Sequence, residues 1–137
     1  MILVDKKSNL LIVKKRSVVD GWIKFDGRVL VGLSSSILGG IEAKEVYTAR
    51  NCVVRSVNAK KVVLGAFNFF EKVKGDDVLI QSFCEGEVLV GEVVKISRGC
   101  KIKEVKGKVI LIDGDSLIKK IDGEKVLAGC FQDLKEF

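Results

Sequence analysis

Histidine and proline are both absent from these 137 residues, and methionine, tryptophan and tyrosine occur once each. Without histidine there is no Ser-His or Cys-His nucleophile pair, no histidine-ligated zinc and no imidazole general base. The lack of proline suits stacked strands, since a proline inside one deletes a ladder hydrogen bond. No apolar run approaches the roughly 18 residues of a membrane helix. The amino terminus lacks a signal-peptide layout, so a cytoplasmic protein is expected. Four cysteines fall in no zinc-like spacing, in keeping with a reducing compartment. No metal, cofactor, small-molecule substrate or enzymatic activity is expected. The acidic pairs Asp76-Asp77 and Asp113 with Asp115 sit where solvated turn residues belong.

What the chain does hold is a period. Ile41-Glu-Ala-Lys-Glu-Val46, Val57-Asn-Ala-Lys-Lys-Val62 and Val73-Lys-Gly-Asp-Asp-Val78 start 16 residues apart. The same phase, carried both ways without insertion, reaches Phe25, Leu89, Val105 and Ile121, making seven copies from Phe25 to Glu136. Strict internal periodicity of this kind marks a repeat architecture. Two columns are apolar throughout, one headed by Phe25 and Ile41 and one by Leu30 and Val46. A third pair joins small or polar residues (Ser36, Cys52, Asn68, Cys84, Cys100) to Leu38, Val54, Phe70, Gly86 and Ile102. Paired positions lie two apart, the strand period that puts both side chains on one face.

Each unit therefore reads as three short strands and three corners, one turn of a parallel β-solenoid of triangular section. A stack of seven such turns, at about 4.8 Å each, makes a rod roughly 34 Å long. Its interior is buried only by stacking, because no single turn covers its own apolar face. The expected organisation is a hairpin or strand-pair cap over 1–24 followed by the solenoid over 25–137. Within the first part, Met1 to Val4 and Leu10 to Val13 are the two strands, and Trp22, in phase with Leu38, begins the stack. Gly86, where a large core residue is due, predicts a bulge or local shift between Phe83 and Val94. Cys84 and Cys100 share an inward column and are read as small apolar packing.

Net charge is +6, but the outward columns mix signs, which argues against a nucleic-acid stripe. The surplus gathers near the start, in Lys6, Lys7, Lys14, Lys15 and Arg16. It reads either as a solvated tip or as a contact for an anionic surface, a peripheral membrane contact included. An outward column that includes Val31, Tyr47, Val63, Leu79, Leu111 and Leu127 is largely apolar, and Ile37, Val53 and Phe69 repeat the pattern on another face. Such stripes mark a partner surface or a covering segment. The N-terminal pair is expected to cover the early turns, with Leu79, Leu111 and Leu127 left as a lateral surface. Phe131, Leu134 and Phe137 keep the core phase to the end of the chain, and so are the expected self-assembly contact.

The segments Ile41-Glu-Ala-Lys-Glu-Val46 and Val57-Asn-Ala-Lys-Lys-Val62-Val-Leu-Gly65, with later glycines at the alanine position, resemble the bactofilins, the polymer-forming cytoskeletal proteins. That resemblance covers Phe25 to about Ala128. It implies a right-handed, triangular parallel β-helix that polymerises end to end into cytosolic filaments without nucleotide and serves as a scaffold, often at the membrane. The family's proline-containing tails have no counterpart in this proline-free sequence. The function expected is self-assembly into filaments; the alternative is a monomeric module for an anionic partner.

Overall fold

Branched aliphatic residues at alternate positions favour extended backbone, and a repeat that holds them in phase lets one turn hydrogen-bond to the next. The computed structural model describes residues 1–129, and within them the chain is all-β. Its strands are β1 (Ile2–Asp5), β2 (Leu10–Val13), β3 (Val18–Val19), β4 (Trp22–Val31), β5 (Ser36–Ile37), β6 (Gly40–Thr48), β7 (Val53–Asn58), β8 (Lys61–Leu64), β9 (Phe69–Ile80), β10 (Glu85–Ile96), β11 (Lys101–Ile112) and β12 (Leu117–Ala128). Every pairing is parallel except β1 with β2. The result is a β-solenoid of about seven turns of about 16 residues.

The long strands bend at corners. Between β9, β10 and β11 the pairing skips Glu71, Glu87 and Lys103, and again Asp76, Glu92 and Lys108. A third corner lies between strands, with Arg16, Ser34, Asn51, Phe67, Phe83 and Gly99 in the left-handed region. Three inward faces result. Their side chains form one continuous core in which Val46, Val62, Val78, Val94 and Ile110 are fully buried, as are Ile41, Val73, Leu89 and Val105. Both apolar columns expected from the repeat are thus interior from Ile41 to Ile110.

Before Ile41 the phase is not 16. Ile23 pairs with Ile41 and Val29 with Val46, offsets of 18 and 17. Ile23 and Val29 are therefore the core residues of that turn, where Phe25 and Leu30 were expected. The same shift makes Ile37 and Ser35 inward, in place of Leu38 and Ser36, and leaves Leu38 44% exposed. Val31 joins the core instead of the outward stripe, and Trp22 lies beside Gly40, out of register with Leu38. Two extra residues cause this. One is Gly27, in a bulge against which Asn9 packs so closely that a Cβ would sit 2.5 Å from its carbonyl oxygen. The other falls at Leu38-Gly39, where Gly39 lies against the Gly21 carbonyl.

The stack also starts earlier than Phe25. β2 pairs in parallel with β4, Leu11 beside Val29 and Val13 beside Val31, so the first solenoid turn begins at Leu10. β1 then folds back antiparallel on the free edge of β2. At the irregular turn no shift occurs: Gly86 stays in register with Phe70 and Ile102. The Phe70 ring fills the vacant place, and a Cβ on Gly86 would lie 2.0 Å from it. A large residue and a glycine on adjacent turns thus share one volume, which keeps the packing dense.

Candidate assembly surfaces

One outward face carries an apolar column beside a partly charged one. Along it the register sets Ile12, Leu30, Tyr47, Val63, Leu79, Lys95, Leu111 and Leu127 in a single column. Leu111 and Leu127 are thereby made neighbours, while the exposed Lys95 separates them from Leu79; each leucine is half-buried. The adjoining column runs Leu10, Arg28, Glu45, Lys61, Asp77, Val93, Val109 and Lys125. Charges alternate over its first half, with Arg28 3.8 Å from Glu45, and disappear at Val93 and Val109. Glu45 also accepts the Tyr47 hydroxyl at 2.6 Å, which holds the phenol above its ordinary pKa. At a neighbouring corner the outward residues are charged, as in the pairs Arg55 with Glu71 and Lys103 with Glu87, while Val53 and Phe69 stand exposed on another face.

Contrary to the expected cover of the early turns, the N-terminal hairpin does not lie on this face. β1 lengthens the same sheet by one strand, putting Leu3 beside Ile12 at the edge. The reason is hydrogen bonding: a strand laid across the face would leave its own amides unpaired, whereas the edge of β2 supplies a ladder. Ile2 and Val4 continue the inward columns of Val13 and Leu11, yet nothing lies above them, and Val4 is 52% exposed. They form an apolar N-terminal end, whereas the exposed Val18 and Trp22 sit on outward positions of the first turn, Trp22 against Gly40 of the next.

At the other end β12 pairs only with β11 among the described residues. Ile121 and Val126, in the two core columns, are 41% and 40% exposed there. Phe131, Leu134 and Phe137, the expected contact, lie outside the described residues. The basic residues do not form one patch. Lys6 and Lys7 occupy the turn between β1 and β2, whereas Lys14, Lys15 and Arg16 occupy the corner after β2, one strand length of roughly 13 Å away.

The interior corner shows why a column alternates serine, cysteine and asparagine. Ser35 Oγ donates to the Lys14 carbonyl at 3.0 Å, Cys52 Sγ to Gly32 at 3.2 Å, and Asn68 Nδ2 to Ala49 at 2.8 Å. Cys84, Cys100 and Ser116 continue the series to Gly65, Gln81 and Ser97 at 3.1, 3.2 and 2.7 Å. The cysteines therefore act as hydrogen-bond donors to corner carbonyls, more than the apolar packing expected of them. Contact with Cys100, then burial, holds the Cys84 thiol well above its usual range, and burial raises Cys52. Among the described residues no three metal-ligating side chains converge.

Sequence reasoning missed the exposed aromatic corner. Phe67 and Phe83 both take positive φ and stack at 5.2 Å, with the Arg50 guanidinium 5.3 Å from the Phe67 ring. Phe83 rests on Gly99, whose missing Cβ makes room for it. No sequence signal announces left-handed phenylalanine, because bulky residues avoid that region.

Asp115 accepts the Gly99 amide at 3.1 Å and pairs with Arg98, and Asp113 accepts from Gly114, so both serve the corner. The concavities are shallow grooves, such as one of about 370 Å³ over Ala59, Gly75 and Gly91. No helix in the described residues is long and apolar enough to cross a membrane. No family model, curated protein or solved structure matches this chain.

Proposed function

We propose that this chain is a self-assembling structural protein whose copies join through the ends of the solenoid to build filaments that serve as a scaffold. One observation carries the reading: at both described ends, residues in register with the core are exposed beside a strand edge with no partner among the described residues. Unpaired edges with apolar side chains are templates for a further strand. A neighbouring copy supplies what each end lacks, as successive turns do within one copy. Resemblance to the bactofilins supports the same reading, and buried reduced thiols suit a cytoplasmic location.

Light scattering and electron microscopy of the purified chain test it. Extended assemblies that lengthen with concentration are expected, and a monodisperse monomer at every concentration overturns the proposal. Gel-shift and vesicle-pelleting titrations separate it from the alternative, in which Lys6, Lys7, Lys14, Lys15 and Arg16 hold an anionic polymer or membrane surface. That alternative requires a monomer whose affinity falls steeply with salt.

A further inference from the structure

The apolar face follows from none of the end contacts, and its residue order points to an occupant. We infer that it is the lateral contact between two copies of this chain lying antiparallel, in full overlap from the turn of Leu10 to the turn of Lys125. A two-fold axis in the plane of the face and across the rod sets each column against itself and reverses the order of turns. The eight positions of each column then meet in the order first to eighth, second to seventh and so on. Val63 faces Leu79 of the second copy, Leu30 faces Leu111, and Ile12 faces Leu127. The one charged member of the column, Lys95, falls on Tyr47, the one aromatic, where a cation and a ring attract and Glu45 adds an opposite charge. In the adjoining column Lys61 meets Asp77 twice across the axis; Arg28 and Glu45, which pair with each other at 3.8 Å, meet Val109 and Val93, and Lys125 meets Leu10.

A parallel pair, with the axis along the rod, fails this comparison. It sets the two columns against one another turn by turn, so that Lys61 meets Val63, Asp77 meets Leu79 and Lys95 meets Val93. With Arg28 on Leu30 and Lys125 on Leu127, five charges of each copy then face apolar residues and lose water, against three in the antiparallel pair. The area is modest. Eight stacked strands at about 4.8 Å and a width of about 12 Å bury on the order of 900 Å² in total, below the usual 1,200 Å² of a stable complex. Pairing is therefore weak between lone copies and rises with concentration, and it strengthens where copies already share a filament.

Cross-linking tests the geometry. In a full-length Cys130→Ser background, Leu30→Cys and Leu111→Cys are made as separate chains, mixed, and treated with a short bismaleimide. Cys52, Cys84 and Cys100 are buried and do not compete. The mixture is expected to give a covalent dimer that is lost when either chain is treated alone. In the antiparallel pair two copies of residue 30 lie five turns, or about 24 Å, apart. Self-linking of Leu30→Cys overturns the proposal in favour of the parallel pair, and absence of any dimer at concentrations where the chain assembles overturns it outright. Thiol labelling of Leu111→Cys checks other occupants. Protection lost on deleting residues 130–137 would assign the cover to the chain's own end. Protection appearing only with anionic vesicles would assign it to lipid, and either result overturns the inference. Dimers without filaments would leave this contact standing and sink the end-to-end reading; filaments one rod wide, with no cross-link, would do the reverse.

Discussion

At the scale of single residues, the tightest constraint is the dryness of the stack. Val62 is fully buried and flanked in its column by Val46 and Val78, equally buried. Val62→Asp puts a carboxylate where no donor can reach it, and the cost of an uncompensated buried charge is about 3–5 kcal/mol. Thermal unfolding is expected to drop by many degrees; a variant melting with the wild type would mean that the faces are assigned wrongly. Phe83 presents the opposite case, two effects of similar size and opposite sign. Its left-handed backbone costs about 1–2 kcal/mol, while stacking on Phe67 returns about 0.5–1.5 kcal/mol. Phe83→Asn, suited to positive φ, is therefore expected to leave stability within about 1 kcal/mol of wild type in chemical denaturation. A larger loss would show that the ring is held by more than its neighbour.

At the scale of the element, what matters is how adjacent turns share volume and hydrogen bonds. Phe70 and Gly86 occupy one space between them, so Gly86→Ala forces a methyl into the ring. Overpacking of this kind costs about 1–3 kcal/mol. Phe70→Leu in the same chain should return most of that loss, and the coupling in a double-mutant cycle measures it. Additive effects would show that the two positions do not share the space. The donor column of Ser35, Cys52, Asn68, Cys84, Cys100 and Ser116 acts in the same manner, because each turn satisfies a carbonyl of the turn before. No buried side-chain nitrogen or oxygen among the described residues is left without a partner.

For the whole molecule, stability and assembly separate by location. Ile2 and Val4 lie on the edge hairpin, with no strand above them and a large share of their surface in water. Replacing both by lysine therefore removes little from the folded monomer but sets charge on the proposed N-terminal contact. The expected outcome is an unchanged circular dichroism spectrum with smaller assemblies by light scattering. If assembly persists undiminished, the joint excludes the hairpin; if the fold is lost as well, the hairpin is a cap the monomer needs.

The repeat from Ile41 onward determined the solenoid by itself, since a two-residue alternation and a constant phase leave each column no other place than over its neighbour. Face assignment within those turns followed from the same arithmetic. Only the tertiary structure decided the first turn, because a bulge at Gly27 and an extra residue at Leu38-Gly39 displace the phase, and a one-residue slip sends every side chain to the opposite face. Asp26-Gly27 and Gly39-Gly40 were the legible hints, glycines of the kind that mark bulges and turns. The place of the hairpin was likewise not in the pattern: apolar alternation says that a strand wants cover, but not whether it finds it on a face or along an edge. That choice rests on backbone amides, which every residue of the hairpin carries alike and which only the edge of β2 could pair.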